Sequence, residues 1–317
     1  MTSKYQPLVS VITPAYNTEK YIAECIESVL AQTYSNWQYT IVNNRSTDKT
    51  LEIAQHYAKM DKRILIHNNE NFLNMLQNWN HALRQISPES KYCKVVHADD
   101  WLFPECIERM VDVSEANPSV GIVGSYVLEE DHVSNDALPY PSTVISGRKI
   151  CSQRFLGMPY LFGSPTSTLI RSDLIRSRDN FYNELNFHAD TEACFDILRD
   201  TDFGFIHQVL TFTRRHNETN TTFARRMNTY LLSDLITFKK YGKEYLNNHE
   251  YEKCLKKRIK RYYRFLGWSV FKKKGKDFWD YHRTGLRELG YPISSVKLIK
   301  ASLIHLYNRT LDAIKIP

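Results

Sequence analysis

The chain has 317 residues, of which 42% are hydrophobic, and its 42 Lys and Arg outnumber its 35 Asp and Glu for a net charge of +7. This length and composition allow a substantial buried core, arranged as one large or two modest domains. No apolar stretch approaches the roughly 20 residues that span a bilayer, and residues 1–6 are too short and polar for a secretory signal, so we expect a cytoplasmic protein. The six cysteines form no Cys-x-x-Cys pair, so we expect reduced thiols.

The first predicted elements are a strand, a loop and a helix. Residues 8–13 are a short β-rich run closed by Pro14, which is typical of a buried strand that enters a loop, here Pro14-Ala15-Tyr16-Asn17. In the next segment apolar residues recur at helical spacing from Ile22 to Leu30, so we expect an amphipathic helix that ends near Gln32.

Three more strands follow at similar spacing. Residues 37–42, 64–67 and 92–96 read as strands, and a helix is expected over about residues 74–86. The polar loop Asn43-Asn44-Arg45-Ser46-Thr47-Asp48 follows the first of these strands, and one of its Ser or Thr residues is expected to cap a helix through Ala58. Strands that alternate with helices in this way predict an α/β fold with βαβ crossovers and a mostly parallel sheet, its polar loops gathered at one edge.

An acidic motif, His97-Ala98-Asp99-Asp100, follows the strand over residues 92–96. Carboxylates that end a buried parallel strand lie at the sheet edge where open α/β sheets bind ligands, so they can hold a divalent cation against a diphosphate. In the alternative interpretation, the two aspartates only open the turn that leads into the helix after Pro104.

Residues 9–100 resemble the nucleotide-binding half of a family-2 glycosyltransferase with the GT-A fold. The resemblance is carried by Pro14-Ala15-Tyr16-Asn17 with Tyr21-Ile22, by residues 43–50, and by Ala98-Asp99-Asp100. It implies that the acidic motif holds the diphosphate through Mg²⁺ or Mn²⁺, with Asp99 as metal ligand and Asp100 in support. It also implies that the first two loops hold the nucleoside, through Pro14, Tyr16, Asn17, Asn43, Asn44 and Ser46.

The chain departs from this family in both motifs. Asn43-Asn44 stands where the family usually has an Asp-Asp pair, and amides can donate as well as accept, so the choice of nucleotide base is open. His97 stands where the family usually has the first carboxylate, which lowers the negative charge available to a cation. His97 can meet a ribose hydroxyl or phosphate or ligate the metal; alternatively it is a hydrogen-bonded histidine at a strand end.

The second half of the predicted catalytic module begins with a strand over residues 121–127 and a polar connection over residues 131–142. Further on, Gly163-Ser164-Pro165-Thr166-Ser167 precedes the apolar residues Thr168-Leu169-Ile170. In the resembled family this segment lies under the transferred sugar, whereas its composition alone is also typical of a plain turn before a strand.

A candidate general base lies within residues 187–195. Inverting transfer needs a carboxylate that takes the proton of the acceptor hydroxyl, and the family usually has Glu-Asp at the start of a helix here. Alignment of that helix puts Ala189 at the Glu and Asp190 at the Asp, so Asp190 is the expected base and Glu192 the second candidate. Asp190 is also expected to cap the helix, whose dipole would lower its pKa.

A strand over residues 208–213 runs into Arg214-Arg215-His216. The family often carries Arg-x-His near the diphosphate, which implies phosphate binding by Arg214 and metal binding by His216, and guanidinium forks suit phosphate oxygens. Alternatively, the two arginines form a solvated basic face.

The C-terminal region differs in character, because residues 253–276 contain eleven Lys or Arg and no Asp or Glu. Interleaved apolar and aromatic residues predict an amphipathic basic helix, and residues 294–314 predict another helix. The basic helix suits an anionic membrane surface, where a lipid-linked acceptor would be found; alternatively it is a solvated helix packed on the catalytic module. Nucleic-acid binding is disfavoured because no recognised binding motif accompanies the charge.

We therefore expect a GT-A catalytic domain over residues 1–222 and a helical basic region over residues 223–317. The expected activity is inverting, metal-dependent transfer of a sugar from a nucleoside-diphosphate sugar to a glycan or lipid-linked acceptor. The resemblance implies UDP or dTDP as the carrier, and cell-surface polysaccharide or glycolipid synthesis as the pathway. The protein is then cytoplasmic, or peripheral at the inner face of the membrane. One rival is a catalytically impaired sugar-nucleotide-binding or scaffold subunit, which would explain His97, Asn43 and Ala189; a nucleotidyltransferase would instead show a glycine-rich, basic first loop.

Overall fold

The computed structural model describes residues 6–215 and 220–314. The chain divides into two compact units, Met1–His216 and Asn217–Pro317. Within the described residues the first unit is an α/β structure and the second is helical.

The first part of the sheet is parallel and contains four strands in the order β3-β2-β1-β4. The strands are β1 (Val9–Ala15), β2 (Trp37–Asn43), β3 (Ile64–Asn68) and β4 (Tyr92–Val95). The connecting helices are α1 (Ile22–Leu30), α2 (Thr50–Met60) and α3 (Met75–Leu83). The predicted βαβ units are thus confirmed. Because the strands run in the same direction, the loops after β1, β2 and β4 meet at one edge of the sheet.

Burial explains why this part of the sheet forms. All seven residues of β1 are buried, as expected for a parallel strand covered on both faces. Helix α1 buries four residues at helical spacing, Ile22, Cys25, Ile26 and Val29. Each large apolar side chain removed from water contributes about 1.5–3 kcal/mol, so this stripe fixes α1 on the sheet.

The rest of the sheet is mixed and continues in the order β4-β9-β6-β10-β5. Its strands are β5 (Trp101–Leu102), β6 (Val120–Glu129), β7 (His132–Ser134), β8 (Val144–Ser146), β9 (Thr168–Arg171) and β10 (Asp202–Thr213). Strands β6 and β10 are parallel, whereas β9 is antiparallel to both β4 and β6. The predicted α/β class with flanking helices is confirmed, and in this half of the sheet antiparallel strands join the parallel ones. The additional helices are α4 (Cys106–Ala116), α5 (Gly147–Leu156), α6 (Ser172–Arg176) and α7 (Ala189–Ile197).

Two local expectations about the first loops are wrong. Strand β1 does not stop before Pro14 but continues through it, with Pro14 in register with Val42. Helix α2 has no Ser or Thr side-chain cap; instead, the Asp48 carboxylate accepts hydrogen bonds from the N–H groups of Thr50 (2.9 Å) and Glu19 (3.0 Å). A carboxylate can accept from two backbone donors at once, which ties the helix start to the first loop.

The second unit consists of helices around its own apolar core, in which Leu232, Leu235, Tyr262, Leu266 and Phe278 are buried. The helices are α8 (Asn220–Met227), α9 (Thr229–Tyr245), α10 (Asn248–Val270), α11 (Lys276–Glu288) and α12 (Ser295–Ile314). The predicted basic helix is α10, which starts earlier and ends earlier than expected. Among the described helices, none combines the length and apolar content needed to cross a membrane.

Candidate functional site

The loops after β1 and β2 are hydrogen-bonded to each other at the carboxyl edge of the sheet. Asn17 has a φ of 50°, a left-handed conformation that Asn tolerates. Its N–H donates to Ser46 Oγ (3.1 Å), and its Oδ1 accepts from the Thr47 N–H (2.8 Å). Asn17 and Ser46, both predicted to bind the donor, therefore also fix the shape of the two loops.

Two aromatic rings stand exposed at this edge. Tyr16 follows β1 and packs edge-on against Phe72, with ring centroids 4.9 Å apart and an interplanar angle of 61°. Exposed aromatic faces of this kind suit the stacking of a planar base. Phe72 was not identified from the sequence, because nothing local marks it. Pro14 is buried in β1, where it shapes the start of the loop.

The Asn43-Asn44 pair is buried and its amides are engaged within the protein. Asn43 Nδ2 donates to Asn68 Oδ1 (2.5 Å), and Asn43 Oδ1 accepts from the Ser46 N–H (3.2 Å). Asn44 Nδ2 donates to the Leu73 carbonyl (2.8 Å), while its Oδ1 accepts from the Leu73 N–H (2.9 Å). An Asp at position 44 could not make the donating bond. The amide thus holds the segment that carries Phe72, which gives a physical reason for this departure from the family pattern.

The acidic turn after β4 brings together the predicted cation-binding residues. His97, Asp99 and Asp100 each offer one ligand atom, and these atoms lie within 4.8 Å of one another. Asp100 is buried, and its carboxylate accepts from Thr166 Oγ1 (2.6 Å) and from the Arg214 N–H (3.0 Å). Burial, with the charge of Asp99 adding to it, raises the pKa of Asp100 to about 8. Asp99 is only half-buried and is the carboxylate better placed to meet a cation from solvent.

His97 has one ring nitrogen that no described residue satisfies. Its backbone N–H donates to Thr166 Oγ1 (3.1 Å), and its ring packs on Trp79 with centroids 4.7 Å apart. Its Nε2 is buried without a hydrogen-bond partner in the described part of the chain. Burial lowers the pKa of His97 and keeps the imidazole neutral. A neutral imidazole with an open nitrogen suits a ligand better than the fully hydrogen-bonded histidine of the alternative interpretation.

Arg214 anchors the acidic turn to α1. Besides its N–H bond to Asp100, its Nε donates to the carbonyl of Asp99 (3.2 Å), and its guanidinium pairs with Glu24. Arg215 pairs with Glu129 instead, so neither arginine forms the solvated basic face of the alternative interpretation. His216, predicted as a metal ligand, lies outside the described residues.

The segment before β9 is hydrogen-bonded to the acidic turn. Thr166 lies in a short 3₁₀ turn (Pro165–Ser167), is fully buried, and bridges His97 and Asp100 through its hydroxyl. Lys94 of β4 is also fully buried and donates from Nζ to the carbonyls of Thr166 (2.5 Å) and Thr168 (3.2 Å). Thr166 belongs to the segment singled out in the sequence, but its bond to Asp100 was not predicted. Lys94 was not identified, although a lysine within an apolar strand is a signal that could have drawn attention to it.

Removal of the Thr166 hydroxyl is expected to destabilise the protein and impair the site. Thr166→Val removes the donor to Oδ2 of the buried Asp100 carboxylate, which costs about 1–3 kcal/mol, and leaves only the Arg214 N–H to hold the acidic turn through Oδ1. Loss of such a supporting bond typically lowers metal affinity or activity about 10–100-fold. The matched control is Thr211→Val, because Thr211 is equally buried but its hydroxyl has no hydrogen-bond partner in the described residues. Unfolding curves and metal titrations of both variants test this, and equal effects would contradict it.

Gly163 at the start of this segment is expected to tolerate no side chain. Its φ is +71°, and a Cβ would lie 2.0 Å from Ser167 Oγ and 2.5 Å from Asn135 Nδ2. Gly163→Ala therefore combines backbone strain of about 1–3 kcal/mol with a clash. Gly157→Ala also changes a glycine of positive φ, +126°, but with no atom within 4 Å of the Cβ it adds no clash. Thermal unfolding should show a clear loss for Gly163→Ala, and an unchanged midpoint would contradict the prediction.

Asp190 lies in the first turn of α7 and faces a small pocket. The N-terminal cap of α7 is His188, so the expectation that Asp190 caps the helix is wrong. The pocket is also lined by Phe162, Ser164, Pro165 and Tyr182. Burial raises the pKa of Asp190 to about 6 and outweighs backbone hydrogen bonds that lower it. This corrects the expectation of a lowered pKa, because desolvation here exceeds the effect of the helix terminus.

Glu192, the second candidate base, has a different environment. It is buried, and its carboxylate accepts from Asn183 Nδ2 (3.0 Å) and Asn186 Nδ2 (2.7 Å). These bonds hold the loop that precedes α7. Of the two candidates, Asp190 is the one that lines the pocket.

The acidic turn and the Asp190 pocket are neighbours. Trp79 contacts the ring of His97 on one side and the ring of Tyr182 (5.5 Å between centroids) on the other, and Tyr182 lines the pocket. Thr166, which bonds the acidic turn, is flanked by the pocket residues Pro165 and Thr168. The acidic turn and the Asp190 pocket are therefore linked through Trp79 and through the segment around Thr166.

Comparison with known proteins agrees with this geometry. Residues 10–178 match the sequence profile of Glycosyl transferase family 2. An uncharacterized glycosyltransferase of Haemophilus influenzae is 41% identical over 121 residues, which is 38% of this chain and 37% of that protein. An uncharacterized glycosyltransferase of Rickettsia typhi, RT0329, is 30% identical over 222 residues, which is 69% of this chain and 68% of that protein.

The fold is also found in a solved structure. The crystal structure of Staphylococcus aureus TarS residues 1–349 in complex with UDP-GlcNAc superposes with a TM-score of 0.65 and 18% identity, over 88% of this chain and 79% of that chain. At this identity the likeness shows the fold, and the profile match and the Rickettsia relative show the family. The chain belongs to glycosyltransferase family 2.

Proposed function

We propose that this protein is an inverting glycosyltransferase that moves a sugar from a nucleoside-diphosphate sugar to the hydroxyl of an acceptor. The observation that carries the proposal is the side-by-side placement of the acidic turn and the Asp190 pocket, joined by Trp79 and by the segment around Thr166. Family membership supports the same reaction class.

The donor nucleoside is proposed to lie at the carboxyl edge of β1 and β2, with its base against Tyr16 and Phe72. The Asn43 and Asn44 side chains are proposed to shape this site, since their amides bind neighbouring protein groups. UDP or dTDP is the proposed carrier, and the UDP-GlcNAc complex of TarS, which shares the fold, supports UDP.

The residues of the acidic turn fit Mg²⁺ or Mn²⁺. Asp99 offers a half-buried carboxylate of the kind that both ions prefer, and His97 offers a ring nitrogen, with its Nδ1 4.0 Å from Asp100 Oδ2. Both oxygens of Asp100 accept hydrogen bonds, so Asp100 is proposed to orient the turn, with Arg214. His216 is proposed as a further ligand of the cation. Bound here, the cation would neutralise charge on the departing diphosphate.

Asp190 is the proposed general base. Its carboxylate takes the proton of the acceptor hydroxyl while that oxygen attacks the anomeric carbon of the sugar. The bond from this carbon to the diphosphate oxygen breaks, and its electron pair leaves with the nucleoside diphosphate, so the anomeric configuration inverts. A pKa of about 6 keeps Asp190 mostly ionised at neutral pH while leaving it more basic than an ordinary carboxylate.

The acceptor is proposed to be a glycan or lipid-linked sugar in cell-surface polysaccharide or glycolipid synthesis. All six cysteines are buried thiols, which is typical of proteins from a reducing compartment and supports a site of action in the cytoplasm. The basic residues of 253–276 are proposed to add positive charge to a contact with the inner face of the membrane.

The test is a screen of UDP-, dTDP- and GDP-sugars for release of nucleoside diphosphate, with and without Mn²⁺ or Mg²⁺. Metal-dependent release supports the proposal and names the donor. Saturable donor binding with no turnover in the presence of sugar acceptors would favour the binding or scaffold subunit. Release of pyrophosphate from a nucleoside triphosphate and a sugar phosphate would identify a nucleotidyltransferase instead.

A further inference from the structure

Helix α12 presents an apolar row to solvent. Val296 is 77% exposed and Leu303 is 60% exposed, although both are aliphatic. The row follows the three- and four-residue spacing of one helix face and consists of Val296, Ile299, Leu303, Leu306 and Tyr307. A soluble protein rarely exposes so many neighbouring apolar side chains unless the face binds something.

The opposite face of α12 packs against α10, so the apolar row is not needed for that contact. Ala301 is buried there, and a Cβ on Gly267 of α10 would lie 2.9 Å from the Ala301 Cβ. The Ser302 hydroxyl lies 3.4 Å from the Gly267 carbonyl. Ala301 and Ser302 therefore mark the packed face, and the row of aliphatic side chains points elsewhere.

Positive charge surrounds this row. Residues 217–317 contain 22 Lys and Arg against 9 Asp and Glu, a net charge of +13, whereas residues 1–216 contain 20 against 26, a net charge of −6. Lys297 and Lys300 are exposed on α12 between members of the row. At the end of α10, Phe271 contacts the His305 ring of α12 (5.7 Å between centroids) and leads into the exposed Lys272 and Lys273.

We propose that this surface, the α12 row with its flanking lysines, docks on an anionic lipid bilayer. An amphipathic helix with aliphatic residues on one face and Lys or Arg beside them lies in the bilayer interface, and anionic headgroups attract the lysines. Aliphatic side chains cannot bind phosphate groups, which supply most of the affinity of a protein for nucleic acid, so the row favours a bilayer over a nucleic acid. The inference stands on residues of the C-terminal unit alone and does not depend on the proposed transfer reaction.

The test is flotation of the full-length protein with vesicles of phosphatidylcholine, with or without phosphatidylglycerol. We expect binding to the vesicles that contain phosphatidylglycerol and release at high salt, because screening weakens attraction between exposed charges. Two double variants test the surface: Ile299→Gln with Leu303→Gln, and Lys297→Gln with Lys300→Gln. Each should lower the partition coefficient by at least about tenfold, because each lysine near the membrane contributes about 1 kcal/mol of binding free energy and each buried aliphatic side chain contributes more.

Matched control variants carry the same kinds of substitution at exposed positions of the first unit. Met60→Gln with Leu185→Gln removes two exposed apolar side chains, and Lys59→Gln with Lys62→Gln removes two exposed lysines. Both should bind vesicles as the unaltered protein does, and circular dichroism should show that every variant is folded.

The proposal is overturned if the protein does not bind anionic vesicles, or if both α12 double variants bind as well as their controls. Concentration-dependent dimers dispersed by the Ile299 and Leu303 changes, without vesicle binding, would identify a self-association face. Preference for duplex DNA or RNA, insensitive to those changes, would identify a nucleic-acid surface.

Discussion

Replacement of Asp99 by Asn is expected to remove metal-dependent turnover, with kcat/KM falling on the order of 100-fold or more. Asp99 is the half-buried carboxylate of the acidic turn, while Asp100 beside it already accepts bonds from Thr166 and Arg214. The amide keeps the shape of the side chain but loses its negative charge. Cation stabilisation of a leaving group is worth several kcal/mol, and each 1.36 kcal/mol is tenfold in rate. Initial rates across a Mn²⁺ titration measure the effect.

The control for this change is Asp131→Asn, because that side chain is 97% exposed. Asp131→Asn removes the same negative charge at a position outside the acidic turn, so it should leave the Mn²⁺ titration unchanged. Donor binding by calorimetry adds a second readout, since Asp99→Asn should lose the part of donor affinity that depends on Mn²⁺. Unchanged metal dependence in Asp99→Asn would remove Asp99 from the cation site.

The parallel half of the fold could be predicted from the sequence because its signals are local. Each strand from β1 to β4 is a short β-rich run, and each connecting helix shows apolar residues at helical spacing. The polar loops after β1 and β2 and the acidic turn therefore followed from the order of elements. The mixed half could not be predicted in this way, because the pairing of β9 with β4 and β6 joins residues far apart in the chain.

The long-range contacts of the site residues could not be predicted either. Thr166 is an ordinary turn residue in the sequence, and only the fold brings its hydroxyl to Asp100, 66 positions away. The role of Asn44 depends on Leu73, 29 positions away. Asp190 was identified by its place in the family pattern, but the direction of its pKa shift was wrong, because burial is set by side chains from other elements such as Tyr182.

Replacement of Asp190 by Asn is expected to lower the rate of transfer by roughly 10²–10⁴-fold, the usual contribution of general base catalysis. Asn cannot take the proton of the acceptor hydroxyl, but it nearly preserves the volume of the pocket wall. Donor binding should stay close to that of the unaltered protein, because the nucleoside and diphosphate are proposed to bind elsewhere. The comparison of kcat with the donor dissociation constant separates a loss of chemistry from a loss of binding.

The pH profile gives an independent check of the same residue. A base must be ionised, so kcat/KM should fall as the pH drops through about 6, the pKa to which burial raises Asp190, and not near the ordinary pKa of 3.8. Residual activity of Asp190→Asn should lack this step. Glu192→Gln is the matched control: it changes a buried carboxylate that holds Asn183 and Asn186, so it should lower thermal stability while the midpoint near pH 6 remains. If the step vanished in Glu192→Gln and persisted in Asp190→Asn, the roles of the two carboxylates would be reversed.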